Sequence, residues 1–419
     1  MKKILTMKSE DTHVEKMSDS GIGHGKTARP IALLLALVLV FASLATVLTA
    51  CGGGNTGGES SGAEESTTED SGNDADASVI TVTDHADREV TLHAEIERIA
   101  VCDIFPIPSV LAVFFDSADK IVGMPEPSKT AAEHGLLGEL YPEILKAETG
   151  YIDGSNVNME ELASLNPDVV FYSASSPELG DQLANAGFNA VAISVNKWNY
   201  DCIETLNNWI DLLSQMFPQS GKADTVKAKS TEIYDLVQER VKDIPDEERA
   251  KAFFLFQYSD TTLLTSGKQF FGQWWADAIG AKNVATELEN DNSVPVNMEQ
   301  IYDWNPDLIF MTNFNTYYPD DLYNNTVAGY DWSPVQAVKD KRVYKMPLGM
   351  YRSYTPGVDC PVTLLWMAKT AYPEKFEDID VIAEAKTYYK EVFGIELSDD
   401  QAKSIFEPAQ SAGGGFAYQ

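Results

Sequence analysis

Basic side chains are scarce in this chain, with 31 Lys and Arg against 64 Asp and Glu in 419 residues and a formal charge of −33. The segment before Cys51 holds six cations (Lys2, Lys3, Lys8, Lys16, Lys26, Arg29) and four acids (Glu10, Asp11, Glu15, Asp19), so the remainder carries −35. A surface so acidic repels nucleic acid and anionic lipid, and neither is expected as a partner. Cysteine is also sparse. Beyond Cys51 only Cys102, Cys202 and Cys360 remain, an odd number without short paired spacing, which indicates buried small hydrophobes rather than a zinc site or a disulfide framework. Histidine past Cys51 is limited to His85, His93 and His134. A bare transition-metal site drawing imidazoles from both halves of the chain is therefore not expected.

What is present begins with an address. An uncharged run from Ile31 to Leu48 follows the early cations and leads into Thr49, Ala50 and Cys51. Residues 1–50 read as a signal peptide with a lipoprotein cleavage box, Cys51 becoming the lipid-bearing first residue. The alternative is an uncleaved membrane helix, because the run approaches bilayer-spanning length. Translation could start at Met1, Met7 or Met17. Residues 51–77 combine the lipidated cysteine with a Gly/Ser/Thr-rich acidic stretch that cannot bury a core, and read as a flexible tether. From Ser78 onward the chain is too long for one typical core and agrees with two.

A repeated phrase supports that division. Val157 to Phe171 and Val296 to Phe310 share eight of fifteen positions at an offset of 139 residues, where average usage gives about one match. The offset suits two similar lobes rather than a solenoid. Asn158 and Asn297 are N-cap residues by pattern, with Glu161 and Gln300 placed to reach back as in a capping box. Helices are predicted to start at Met159 and Met298 and to stop before Pro167 and Pro306, with buried strands after each Pro-Asp. Glu160 and Glu299 fall in the first helical turn, where the helix dipole favours a carboxylate, and should face solvent. Dipole compensation alone would account for either one; their matched placement suggests a pair of docking points.

The rest of the chain reads as α/β. Val79 to Leu92 is predicted as a hairpin turning at Asp84 to Asp87. Strand-like segments at Ile99–Val101, Ile121–Met124, Ala190–Val195, Ala252–Gln257 and Arg342–Met346 alternate with helical ones near Ser109–Phe115, Pro177–Ala186 and Phe270–Ile279, implying βαβ units on mainly parallel sheets. Between the halves, Gly221 to Ile244 has a helical apolar stripe ended by Pro245 and predicts a connector of roughly 35 Å. The organisation is thus a first lobe at 78–220, a connecting helix at 221–245 and a second lobe at 246–419. A helical connector implies small hinge motion and largely pre-formed walls.

With these residues in place, the chain resembles the substrate-binding lipoproteins of ABC importers for ferric siderophores, haem and cobalamin, the class III periplasmic binding proteins. The resemblance rests on Thr81 to Asp84, Arg88 to Leu92, Glu97 to Ile99, both repeat phrases, Thr265 to Lys268 leading into Ala278 to Val284, and Arg342 to Tyr344 before an aromatic-rich loop. It departs at Asp87, where the family usually has glycine; aspartate tolerates left-handed geometry better than most residues. The resemblance implies two Rossmann-like lobes bridged by one long helix, and a permease dimer with a cytoplasmic ATPase as partner. It also implies that Glu160 and Glu299 pair with permease arginines. The protein would act as a monomer on the outer face of the cytoplasmic membrane.

Open α/β sheets bind ligands beyond the carboxyl ends of their strands. The loops so placed nominate Phe105, Tyr151 and Tyr172 in the first lobe and Tyr258, Tyr317, Met350, Tyr351 and Arg352 in the second. Aromatic walls and one cation suit a large, partly planar, anionic metal chelate, and the resemblance implies the candidates: a ferric siderophore first, then haem or a corrinoid, with an oxyanion such as molybdate as the small-ligand alternative. Neither an intrinsic cofactor nor a catalytic residue is expected. Ser194 and Lys197 match a Ser-x-x-Lys hydrolase motif but lack its companions, and Ser266 to Lys268 lacks the upstream glycine of a phosphate loop. A ligand sensor on the same scaffold is the remaining alternative to an importer component.

Overall fold

A computed structural model of the chain describes residues 79–414, apart from 219 and 291. The signal segment, Cys51 and the tether lie outside the described residues, which fall within one compact unit. The chain opens with the antiparallel hairpin β1 (Val79–Thr83) and β2 (Glu89–His93). Its turn is left-handed at Asp87, with φ 59°. Asp84, buried at the same turn, accepts N–H bonds from Ala86 at 2.9 Å and Arg88 at 3.0 Å and pairs with the Arg88 guanidinium at 2.6 Å.

Two four-stranded parallel sheets follow, built to one plan. The first comprises β3 (Ile99–Val101), β4 (Ile121–Gly123), β7 (Val169–Ser173) and β8 (Ala190–Ile193), in the order β4-β3-β7-β8. A small hairpin, β5 (Ile152–Asp153) and β6 (Asn156–Val157), precedes β7. The second sheet comprises β9 (Lys251–Leu255), β12 (Lys282–Asn283), β14 (Leu308–Met311) and β15 (Val343–Lys345), in the order β12-β9-β14-β15. A three-stranded antiparallel sheet of β10 (Gln257–Tyr258), β11 (Leu263–Ser266) and β13 (Ser293–Pro295) flanks it. In both main sheets the sheet's first strand in the chain, β3 or β9, lies second in space, so the order reverses beside it.

The repeated phrase explains how each sheet is pinned at its amino end. Its helices, Met159–Ser164 and Met298–Trp304, are too short to be stable alone. Asn158 caps one by accepting from Glu160 and Glu161 N–H; Asn297 caps the other within a complete capping box with Gln300. Each buries one aliphatic anchor, Leu162 or Ile301. Asn166 and Asn305 then turn left-handed, with φ 46° and 42°, a conformation asparagine tolerates. Past the proline, Asp168 accepts the N–H of Glu97 and Arg98 at 2.8 Å each, and Asp307 accepts that of Lys251 at 2.8 Å. The cation answers in kind. Arg98 donates to the carbonyls of Leu165 and Asn166, and Lys251 to those of Trp304 and Asn305, which are the equivalent positions.

Side chains alternate across the strands as the pleat requires. Ile99, Val101, Val169 and Phe171 of one sheet and Ala252, Phe254, Leu308 and Phe310 of the other belong to one apolar cluster that runs through both lobes. The intervening residues face separate outer layers, Ala100, Val170 and Tyr172 in the first lobe and Phe253, Leu255, Ile309 and Met311 in the second. The connector helix spans Ala223–Val241, 19 residues, roughly 28 Å at 1.5 Å per residue. It is therefore shorter than its apolar pattern predicts, because Ile244 is buried beyond the helix end. The connector packs against helices Cys202–Met216 and Cys360–Ala371. A core shared in this way limits independent lobe movement.

Candidate functional site

The reversal of strand order in each sheet leaves a crevice beyond the carboxyl ends of the strands flanking it. In the first lobe these are β3 and β7, and in the second β9 and β14. A cavity of about 360 Å³ occupies this place, lined by residues of both lobes. Asp103 to Pro106 follow β3, Ser173 ends β7 with Ser175 just beyond it, and Val195 and Asn196 follow β8. The facing wall carries Phe256 after β9, Phe314 after β14, and Tyr351 and Thr355 after β15. Phe270 and Phe271 enter at the start of the helix Phe271–Ala278, and Tyr200 enters from the segment leading into Cys202–Met216.

The aromatic wall is a packed array. Tyr200 lies 5.3 Å from Phe270 and 4.9 Å from Phe271 between ring centroids, and Phe256 lies 5.1 Å from Phe314, within the range of favourable ring contacts. Tyr200 is held with φ 61°, directly after Asn199 at φ 52°. That conformation costs a bulky residue on the order of 1 kcal/mol or more. The strain is located where a tyrosine is turned into the cavity. Across from it, the Asp103 carboxylate accepts the Ser173 N–H at 2.6 Å and the Ser176 hydroxyl, tying the loop after β3 to the end of β7.

Two cations stand behind the second wall. Arg352, 1% exposed, lies 5.2 Å from the Phe314 ring and 5.7 Å from the Tyr351 ring and donates to the carbonyls of Ala412 and Gly414. Burial lowers its pKa. Lys345 is pushed down to about 7 by burial and by Arg352, yet its ammonium donates to the carbonyls of Thr312, Asn315 and Tyr317 at 2.8 to 2.9 Å, which favours the charged form. It thereby clamps the loop that carries Phe314. Asp359, desolvated and pushed up to about 6, accepts the Met350 N–H at 2.8 Å and the Tyr389 hydroxyl. It fixes the loop bearing Tyr351. A Cβ on Gly349 would meet Asp359 Oδ1 at 2.1 Å, so the close approach requires glycine there.

Of the residues nominated by sequence, Phe105 and Tyr351 line the cavity, and Arg352 lies directly behind it. The others are placed elsewhere. Tyr151 is buried in the outer layer of the first lobe, its hydroxyl donating to the Val101 carbonyl, and Tyr172 joins it there because strand alternation turns it away from Phe171 and Ser173. Tyr258 is buried in the outer layer of the second lobe, accepting from Trp332 Nε1 at 3.0 Å, with the Tyr317 ring 5.0 Å away. Met350 is packed into the shared core. Glu160 and Glu299 are exposed, and neither joins an ion pair among the described residues. Among the described residues no group of His, Cys, Asp and Glu could hold a metal ion.

Sequence reasoning passed over Asn196, Tyr200, Phe256, Phe270 and Phe271, and it reached Phe314 only as part of the nominated loop Asn313 to Tyr318, where it singled out Tyr317. The strand-end rule applied after β8 and β9 reaches Asn196 and Phe256. The phenylalanines at 270 and 271 carried no such signal, being indistinguishable from core residues at a helix start.

Two α/β lobes closing on an aromatic cavity at paired switch points define a bilobed solute-binding protein. The chain belongs to the Periplasmic binding protein family, which matches residues 111–348. It is 27% identical over 344 residues to the molybdate-binding protein MolA of Haemophilus influenzae, covering 77% of this chain and 93% of that protein. It is 26% identical over 306 residues to the ABC transporter substrate-binding lipoprotein YvrC of Bacillus subtilis, covering 71% and 87%. A solved periplasmic solute binding protein from Veillonella parvula aligns with a TM-score of 0.70 at 29% identity, over 79% of this chain and 97% of that one. Family membership places the protein outside the cytoplasm. Among the described residues no helix is long and apolar enough to cross a membrane.

Proposed function

We propose that the protein captures an iron complex, a ferric siderophore, in the inter-lobe cavity. It then delivers the complex to an ABC permease dimer driven by a cytoplasmic ATPase, without making or breaking bonds in its cargo. The observation that carries this reading is the cavity wall. Phe105, Phe256, Phe270, Phe271 and Phe314 with Tyr200 and Tyr351 offer apolar, flat surface to an organic chelate, and two buried cations behind the wall favour a net negative cargo. Among the described residues no lysine or arginine lines the cavity itself, and the Asp103 carboxylate faces it. That arrangement suits a ligand whose charge is spread over an organic shell better than a bare dianion. Molybdate is the second reading, favoured by the likeness to MolA; haem and corrinoids share the chelate chemistry.

The lipid at Cys51 would hold the protein at the outer face of the membrane, and the tether would let it reach the permease. Glu160 and Glu299, exposed at the starts of equivalent helices, one on each lobe, are the docking contacts. Tryptophan-fluorescence quenching with a ferric catecholate, haemin, cobalamin and molybdate decides the cargo. Tight binding of molybdate alone overturns the siderophore reading in favour of the second. In cells, Glu160→Lys combined with Glu299→Lys should abolish uptake and leave affinity intact. Unchanged uptake would remove the docking assignment, and a ligand-dependent cellular response without any uptake would identify a sensor instead.

A further inference from the structure

Cys202 and Cys360 are 158 positions apart in the chain, yet each opens a helix directly after an aspartate, in Cys202–Met216 and Cys360–Ala371. The two helices pack on each other. Both cysteines are completely buried, and after burial itself it is the neighbouring Cys360 that does most to raise the Cys202 thiol's pKa. They also point at successive carbonyls of one loop: Cys202 Sγ lies 3.9 Å from the Tyr354 oxygen, and Cys360 Sγ lies 3.5 Å from the Thr355 oxygen. Thr355 lines the cavity, as does Tyr200, two residues before Cys202. The paired thiols therefore sit behind the point where the chain leaving the first lobe meets a loop of the second. Cys102 takes no part, being buried in the outer layer of the first lobe.

We propose that Cys202 and Cys360 form a disulfide in the exported protein, a covalent staple between the two lobes that fixes the spacing of Tyr200 and Thr355 across the cavity. The compartment permits it, because proteins outside the cytoplasm meet oxidising conditions. The oxidant is an external disulfide, on a small thiol or on an oxidoreductase. One cysteine loses its proton and its thiolate attacks that disulfide, releasing one external thiol and leaving a mixed disulfide. The other thiolate then attacks the cysteine sulfur, releasing the second external thiol, so two electrons and two protons leave the protein. Burial holds the Cys202 thiol well above its ordinary pKa, which makes the packed thiols unreactive. Exchange belongs to the folding chain, before the two helices pack. The pair is overlooked in a count of cysteines, since the third thiol makes the number odd.

The proposal stands on the convergence of both sulfurs on the adjacent Tyr354 and Thr355 carbonyls and holds whichever ligand fills the cavity. Full-length protein exported by its host is denatured in alkylating reagent without reductant and mapped by peptide mass. The expected result is a linked peptide containing Cys202 and Cys360, lighter than the two thiol peptides by two hydrogens, with only Cys102 alkylated beyond Cys51. Finding Cys202 and Cys360 both alkylated overturns the proposal. The restraint is tested separately by melting the exported protein with and without reductant, alongside a Cys202→Ala, Cys360→Ala double variant. Reductant should lower the melting temperature of the unaltered protein only. Equal melting of the unaltered protein in both conditions overturns the staple role.

Discussion

Replacing Tyr151 by phenylalanine separates a structural tyrosine from a ligand-binding one. Sequence position nominates Tyr151 for the cavity, but the residue is 2% exposed, and its hydroxyl donates to the Val101 carbonyl at the end of β3. Burial raises the phenol far above its ordinary pKa, so it is a neutral donor at any working pH. Tyr151→Phe keeps the ring, which packs under Gly123, where a Cβ would meet Tyr151 Cε1 at 2.8 Å. It removes only the hydroxyl. Losing a net hydrogen bond costs about 1 kcal/mol, and leaving the buried carbonyl without this donor raises the cost toward about 3 kcal/mol. With a urea m-value of about 3 kcal/mol/M, the unfolding midpoint should drop by about 0.3 to 1 M. Affinity for whichever chelate quenches the tryptophans should stay within about twofold, a difference under 0.5 kcal/mol. An unchanged midpoint with a tenfold loss of affinity would refute the placement of this side chain.

The amino-end pins of the repeat predict a second outcome. Asp168→Ala and Asp307→Ala should each cost about 1 to 2 kcal/mol in urea unfolding, since each removes carboxylate-accepted N–H bonds, while ligand affinity is retained because the cavity lies at the opposite strand ends. A wild-type midpoint in either variant contradicts the pinning role. Asp359 predicts a pH dependence. Its folded pKa of about 6 exceeds the ordinary 3.8, so between these values the folded state holds the proton more than the unfolded chain does. Its contribution to stability therefore falls as pH rises from about 4 to about 6 and then levels, by an amount on the order of 3 kcal/mol. Asp359→Asn should flatten that part of the stability profile, measured by urea midpoints across the interval; parallel profiles would show that Asp359 is not the group responsible.

Much of the architecture was legible because it is locally encoded. The asparagine caps at 158 and 297, the stops before Pro167 and Pro306 and the strands beyond them are set by interactions within a few residues. The structure places them where those rules do. The hairpin and the strand at Ile99–Val101 are equally local. The site was legible only in part. The strand-end rule found the loops of Phe105 and Tyr351, but it names a loop and not a face. Tyr172 illustrates the difference: one step along β7 separates it from Ser173, and that step carries it to the opposite side of the sheet.

The sequence alone therefore determined that there are two alike lobes, where their strands and short helices begin, and where two exposed glutamates stand. Those features follow from capping, proline sterics and apolar periodicity, whose range is a few residues. Tertiary structure alone decided which aromatics form the cavity wall, that Arg352 and Lys345 back it rather than line it, and that Cys202 and Cys360 converge on one loop. These depend on how two sheets and three helices pack around one shared core, and contacts between positions far apart in the chain leave no periodic trace in it.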